Sequence, residues 1–209
     1  MLPRLYPILD VDLCMQRGRE PLAVLDAFLA GGARLLQWRD KRSSTADRLA
    51  CADAVVARVR AAGARVIIND RADIARLSGA DGVHVGQEDL AVEDARAIVG
   101  ADAIIGVSTH DEAQIDAATR TTASYIAVGP IYSTSTKDTG YSARGLLLLR
   151  HAALSGRPVV AIGGISLERA AEVLAAGASS VAVISDLLRG DPAEMVRAFD
   201  RRLSEVRSS

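Results

Sequence analysis

Aromatic side chains are scarce in this chain of 209 residues: Phe, Trp and Tyr together make up 3%. Any core must therefore be built mainly from Ala, Val, Leu and Ile. Cysteine is nearly absent. Cys14 and Cys51 are the only two, their separation matches neither a zinc-binding nor a CxxC spacing, and the expectation is a reduced, cytosolic protein. Charge of one sign is missing as well. The 25 Lys and Arg against 26 Asp and Glu leave a net charge of −1, which provides no field to draw in nucleic acid or an anionic membrane. No apolar run approaches the roughly 18 residues of a membrane span. The first residues meet Asp10 and Asp12 before a signal-peptide apolar region can form. By elimination the expected setting is the cytoplasm, with no nucleic-acid or membrane partner. A GxGxxG string is also lacking, which removes the signature of a dinucleotide-binding open sheet.

What the sequence does have is alternation. Apolar residues make up 49% of it and charged residues 24%, the balance of a globular chain. Short apolar runs rich in β-branched residues recur at 5–9, 35–38, 66–68, 83–85, 103–107, 125–128, 159–162 and 181–184. Runs apolar on both faces read as parallel strands covered on each side. Stretches with helical spacing lie between them, most clearly at 22–30, 45–62, 92–99, 111–118, 167–175 and 192–206. A very short helix is expected near 73–78. Gly31, Gly63, Gly100 and Gly177 stand where helix C-caps are wanted, Asp111 and Ser166 where N-caps are wanted, and Pro192 at a first helical position. With no composition break to mark a linker, the expectation is an α/β protein, a single (β/α)8 TIM-barrel domain over 1–209. The length is short for such a barrel, for which about 250 residues is typical.

In that architecture active groups belong at the C-terminal ends of the strands, and polar residues gather there. The second strand ends in Gln37-Trp38-Arg39-Asp40-Lys41, the third in Asn69-Asp70, the fourth in Gly86-Gln87-Glu88-Asp89 and the fifth in Ser108-Thr109-His110. The sixth is followed by Gly129-Pro130 and then Thr134-Ser135-Thr136-Lys137, the seventh by Gly163-Gly164, and the eighth by Ile184-Ser185. Arg39, Lys41 and Lys137 suit a mono- or diphosphate. Asp70 and Asp89 suit one shared Mg2+, with water and phosphate oxygens completing its shell. Gly163-Gly164 and Ile184-Ser185 precede helix N-termini, a common phosphate seat in such barrels. Each set has a plainer reading. Asp70 is as well suited to pairing with Arg71, Asp89 to capping the next helix, Arg39 and Lys41 to a solvated loop, and Gly163-Gly164 to a tight turn. His84 reads as a packed core residue, Trp38 as packing, and His110 as a capping or solvated group.

Taken in order, these strings resemble the thiamine-phosphate synthase family from about residue 6 to 185. Gln37, Arg39 and Lys41 match Q-x-R-x-K, Asn69-Asp70 the N-D step, and 84–89 the H-x-G-Q-x-D stretch. Residues 106–110 match G-x-S-x-H, 129–137 G-P-I…T-x-T-K, 161–165 A-I-G-G-I, and 181–185 V-A-V-I-S. The resemblance implies a transferase of thiamine biosynthesis. It would join 4-amino-2-methyl-5-hydroxymethylpyrimidine diphosphate to a thiazole phosphate by Mg-assisted dissociative loss of diphosphate, and need no protein nucleophile. Carried over position by position, Gln37, Arg39, Lys41, Asn69, Ser108 and Lys137 would hold the pyrimidine diphosphate, with Arg39, Lys41, Ser108 and Lys137 serving the reaction itself. Asp70 and Asp89 would hold one Mg2+ per subunit. Thr134, Ser135, Thr136, Gly164, Ile184 and Ser185 would hold the thiazole phosphate. Partners would be small phosphorylated molecules, and a homo-oligomer is left open.

The chain departs from the pattern after Lys137. Residues 138–144 read Asp-Thr-Gly-Tyr-Ser-Ala-Arg, without the proline-containing stretch the family often has there. Two rival readings are a related thiazole tautomerase and a non-catalytic barrel that binds thiazole phosphate. Pro130, standing where a histidine is expected in the tautomerase, speaks against the first. The retained Asp70 and Asp89 speak against the second.

Overall fold

The computed structural model describes residues 2–134 and 140–206. Eight parallel strands close on themselves in sequence order: β1 Leu5–Asp10, β2 Leu35–Arg39, β3 Arg65–Asn69, β4 Gly82–Val85, β5 Ile104–Thr109, β6 Tyr125–Val128, β7 Val159–Ile162 and β8 Ser180–Val183. The seam is sealed where β8 pairs with β1, Leu5 opposite Val181 and Tyr6 opposite Ala182. Around the strands lie α1 Val11–Gln16, α2 Pro21–Ala30, α3 Thr45–Ala61, α4 Ala72–Ser78, α5 Val92–Val99, α6 Glu112–Thr119, α7 Gly145–Ala153, α8 Leu167–Ala175 and α9 Pro192–Ser204. A 3-10 turn, Ser185–Leu188, follows β8. The expected (β/α)8 barrel is the observed fold. The short third helix is α4. Helical spacing had singled out neither α1 nor α7.

Strand side chains point alternately to two faces, and here the two faces have different cores. Leu36, Trp38, Val66, Ile68, Val83, Val85, Ile105 and Val107 face outward into the layer shared with the helices. Tyr6, Ile8, Leu35, Ile67, Tyr125, Ala127, Val160 and Ala182 fill the barrel interior. Trp38 is thus packing, as read. The helices are started by carboxylates and hydroxyls on their first free N–H groups. Asp111 accepts from the Gln114 N–H at 2.8 Å, and Asp191 from the Glu194 N–H at 2.9 Å with Pro192 next in line.

Two expected caps stand at their helix ends but work differently from the usual pattern. The Ser166 side chain makes no capping bond to α8; Asp186, from the 3-10 turn, accepts from the Leu167 N–H at 2.9 Å instead. Gly31 ends α2 with ordinary helical angles, and the left-handed residue is Gly32, φ 106°. Gly31 is instead required by contact. A Cβ there would lie 2.8 Å from both the Ala193 carbonyl oxygen and the Val196 Cβ of α9.

Gly106 on β5 is the interior counterpart. A Cβ at this position would meet the Tyr125 ring at 2.0 Å, so the glycine vacates the space that the tyrosine fills. Gly106→Ala should cost about 3 kcal/mol, the upper part of the range for overpacking a dense core. Urea denaturation should show this as a lower midpoint at unchanged slope. A midpoint equal to that of the parent chain would mean the ring moves aside freely.

Candidate functional site

A cleft opens at the C-terminal ends of the strands. It is lined by Gln37, Arg39, Asn69, His84, Ser108, His110, Thr134, Gly163, Gly164, Ile184 and Ser185 over a floor that includes Tyr6, Ile8, Tyr125 and Ala127. Within the barrel, the inward positions change from apolar to polar as the strands approach this end: Leu35 gives way to Gln37 and Arg39, and Ile67 to Asn69.

The cations on this rim are paired. The Arg39 guanidinium contacts the Asp10 carboxylate, whose other oxygen accepts from the Leu13 N–H at 2.9 Å. Asp10 is therefore both the last residue of β1 and the N-cap of α1. Lys41 pairs with Asp70 beside the cleft. Asp70 has a left-handed backbone, φ 61°, a conformation Asp tolerates better than most residues, and its N–H donates to the His84 carbonyl at 2.7 Å. Its carboxyl is pushed up from the usual carboxylate range by burial; Lys41 pulls it back and nearby Asp89 pushes it further up. Asp89 also accepts from the Gly86 N–H at 2.7 Å. Among the described residues no group of three or more His, Cys, Asp and Glu is placed to hold a metal. Asp70 and Asp89 stand there as a pair of carboxylates with Lys41 against Asp70.

Two donors on the cleft wall lack partners. Asn69 Nδ2 and Arg39 Nε are buried and without a hydrogen-bond partner among the described residues. Buried donors of this kind are rare unless a ligand or water serves them. Below them runs a line of hydrogen bonds. Gln37 Nε2 donates to the Tyr6 hydroxyl at 3.3 Å, which lies 3.0 Å from that of Tyr125. Tyr125 Oη is 3.0 Å from His84 Nδ1, and His84 Nε2 is 2.9 Å from Ser108 Oγ. Burial raises the Tyr6 phenol to about 12 and the Tyr125 phenol well above its usual value.

The opposite wall is a glycine turn. Gly163 and Gly164 have φ 101° and 63°, left-handed angles that favour glycine, and a Cβ on Gly164 would lie 2.6 Å from the Ser133 carbonyl oxygen. The segment after β6 is thereby allowed to settle on it, with the Tyr132 N–H donating to the Gly163 carbonyl at 3.0 Å. On the far side of the same segment, Tyr141 stacks on His110 at 4.2 Å between ring centroids, with the Arg144 guanidinium 4.8 Å from the Tyr141 ring.

Of the residues picked out from the sequence, Gln37, Arg39, Asn69, Ser108, Thr134, Gly164, Ile184 and Ser185 line the cleft. Lys41 and Asp70 meet one another on the rim beside it, with Asp89 near Asp70. Ser135, Thr136 and Lys137 lie outside the described residues. The plainer readings of the two carboxylates are not what is observed. Arg71 pairs with Asp73, not Asp70, and α5 opens at Ala91 without a side-chain cap, while Asp89 bonds to the Gly86 N–H. His84 is buried, as read, but it also reaches Ser108 and the cleft. His110 neither caps a helix nor stands in solvent; its ring bonds to the Gly129 carbonyl and stacks on Tyr141. Sequence reasoning missed Asp10, Tyr6 and Tyr125. The one signal available was that Tyr6 and Tyr125 are aromatics inside strands of a chain that has few.

Fold and site together define a (β/α)8 barrel with a polar cleft at the C-terminal mouth. The family model for thiamine monophosphate synthase matches residues 5–187. A thiamine-phosphate synthase of Koribacter versatilis is 44% identical over 204 residues, 95% of this chain and 94% of that one. One from Chloroflexus aurantiacus is 41% identical, over 90% of this chain and 86% of that one. The solved thiamine phosphate pyrophosphorylase of Pyrococcus furiosus superposes with a TM-score of 0.88 at 30% identity, covering 98% of this chain and 97% of that one. This chain belongs to the thiamine monophosphate synthase family.

The double use of Asp10 makes it a sensitive position. Asp10→Ala removes the cap of α1 and leaves the Arg39 guanidinium without its partner in a largely buried place. A loss of about 2–4 kcal/mol is expected, below the fully buried case because the cleft admits some water. Thermal or urea unfolding reads it. An unchanged transition would show that Arg39 finds solvent at no cost.

Proposed function

We propose that the chain couples 4-amino-2-methyl-5-hydroxymethylpyrimidine diphosphate to 4-methyl-5-(2-phosphooxyethyl)thiazole or its carboxylate, releasing diphosphate and forming thiamine phosphate, in the cytoplasm. The observation that carries this reading is Asn69 Nδ2, a buried donor without a partner on a wall shared with Arg39 and Ser108. Such a wall calls for an anion with several oxygens, and a diphosphate has them. In this reading Gln37, Arg39, Lys41, Asn69, Ser108 and Lys137 hold the pyrimidine diphosphate. Thr134, Ser135, Thr136, Gly164, Ile184 and Ser185 hold the thiazole phosphate.

Asp70 and Asp89 fit Mg2+, because hard carboxylate oxygens suit it and it commonly takes only one or two carboxylates, leaving the rest of its shell to phosphates and water. When bound there, Mg2+ supplies neutralisation of charge on the departing diphosphate. The protein side chains do the remaining work. Arg39, Lys41 and Lys137 offset the charge that grows on the leaving group, and Ser108 and Asn69 orient it. The bond from the exocyclic pyrimidine carbon to the diphosphate oxygen breaks first, the carbon carries cation character, and the thiazole nitrogen then attacks it, so no protein nucleophile takes part.

Purified protein given both substrates and Mg2+ should form thiamine phosphate and diphosphate in equal amounts. Isomerisation of the thiazole without diphosphate release would make the chain a tautomerase. Binding without turnover would make it a binding protein.

Two further outcomes are expected. Chelation by EDTA, and separately Asp70→Asn or Asp89→Asn, should lower kcat about 100-fold or more, since several kcal/mol of charge stabilisation is removed. Affinity for the thiazole phosphate should change little. Full turnover without added metal, or near-normal rates in both variants, would refute the assignment of Mg2+ to these carboxylates. Lys137→Ala should raise the barrier by about 2–4 kcal/mol, the range for one preorganised electrostatic group, and Lys137→Arg should restore it poorly because a planar fork replaces a compact ammonium. Rapid-quench measurement of pyrimidine–diphosphate cleavage decides the role. Unchanged cleavage with slowed product release would move Lys137 from chemistry to gating.

A further inference from the structure

Four hydrogen bonds join Gln37 to Ser108 through Tyr6, Tyr125 and His84, and all five side chains are buried. Each link has one hydrogen to place, so the direction of the line is set from its ends. The amide nitrogen of Gln37 only donates. Tyr6 Oη accepts that hydrogen and has its own to give to Tyr125. Tyr125 then gives its hydrogen to His84 Nδ1. With Nδ1 an acceptor, the imidazole hydrogen of the neutral ring sits on Nε2 and is donated to Ser108 Oγ. The hydrogen of Ser108 itself is left to turn into the cleft. Burial keeps both phenols protonated, which the line requires.

We propose that Tyr6, Tyr125 and His84 act as positioning residues: they lock His84 as its Nε2–H tautomer and so make Ser108 a hydrogen-bond donor toward an oxyanion in the cleft. This rests on the reading of that wall as a diphosphate site, and it deepens that reading. The opposite polarity has an opposite consequence. With Nδ1 protonated, Nε2 would accept from Ser108, and the serine would offer only lone pairs to an anion. It would then stand as a hydroxyl activated by a base, the arrangement of a nucleophile. The 2.9 Å contact between Ser108 and His84 is common to both; only the hydrogens tell them apart. Gln37, remote from Ser108 along the line, decides between them.

The tautomer can be read directly. Long-range 1H–15N spectra of the full chain labelled in histidine distinguish Nε2–H from Nδ1–H rings, and His84 is assigned among His84, His110 and His151 by its loss in His84→Asn. The free protein should show His84 as Nε2–H. Gln37→Glu replaces a donor by an acceptor of the same shape, so the line should reverse and His84 should become Nδ1–H. Tyr125→Phe keeps the ring over Gly106 and removes only the hydroxyl. It should leave His84 a mixture of tautomers and weaken binding of inorganic diphosphate roughly tenfold, the worth of one hydrogen bond to a charged group. If Tyr125→Phe does not fold, Gln37→Glu alone decides.

An Nδ1–H ring in the parent chain, or a tautomer indifferent to both substitutions, overturns the proposal. A purely structural role for the tyrosines predicts that indifference. Because the tautomer is measured without substrates, an Nε2–H ring in a protein that makes no thiamine phosphate would sink the proposed function and leave the relay standing.

Discussion

Eight strands closed into a barrel leave room inside for only about three layers of side chains, so every inward position either fills space or carries chemistry. This chain divides the two by height. Leu35, Ile67, Val160 and Ala182 fill the interior, and the polar side chains Gln37, Asn69, His84 and Ser108 face the cleft above. Tyr6 and Tyr125 span the boundary. Their rings meet edge to face, 5.9 Å between centroids and at 85°, and belong to the apolar cluster, whereas their hydroxyls belong to the polar one. A chain that is only 3% aromatic places two of its few aromatics at this junction. Gly106 is the counterpart of that choice, since a side chain on β5 at this height would displace the Tyr125 ring.

Charge at the mouth follows from the same geometry. A cation inside a barrel is costly unless it is paired, and the ends of β1 and β3 supply the partners. Asp10 pairs with Arg39 while capping α1. That double role ties the guanidinium to the backbone of a helix that begins where β1 stops. Lys41 and Asp70 are held less deeply, with the Lys41 side chain 43% exposed. Two carboxylates, Asp70 and Asp89, crowd one another next to that lysine, and the crowding shows in the upward shift of Asp70. Of the two carboxylates, Asp70 is the one in contact with the ammonium. Asp70 is also the one non-glycine residue with a left-handed backbone among those described, so local strain and electrostatic tension coincide at a single position.

The barrel was legible in the sequence because parallel strands covered on both sides are apolar throughout, and the runs announce themselves without periodicity. What escaped were elements without such a pattern. α1 has only six residues and starts directly after the last residue of β1. α7 reads GLLLLRHAA, and four consecutive leucines fall on every side of a helix. Leu149 is buried while Leu147 is 82% exposed. In the site, position along a strand was enough to find Gln37, Arg39, Asn69 and Ser108, because the end of an inward-facing strand position is the cleft. It could not find the line through Tyr6 and Tyr125, whose link joins β1 to β6 across the barrel. Nor could burial alone say what His84 touches.

The segment after β6 departs most from the family pattern, and its two stems are fastened in different ways. On the entry side, Tyr132 lies under the Arg169 guanidinium at 4.6 Å and donates to Glu172 at 3.3 Å, both on α8, while its N–H bonds to the glycine turn. On the exit side, Arg144 and Gly145 donate to the carbonyls of Pro130 and Ile131, and Tyr141 stacks on His110. A proline holds a loop by narrowing the states open to the unfolded chain, and it does so whether or not the loop is docked. Stacking of Tyr141 on His110 acts only in the docked state. The exit stem of this chain, which has tyrosine and arginine where the family often has a proline-containing stretch, is held by that ring stack together with the two backbone hydrogen bonds. His110 joins that stem to the cleft, because the same ring lines it and bonds to the Gly129 carbonyl.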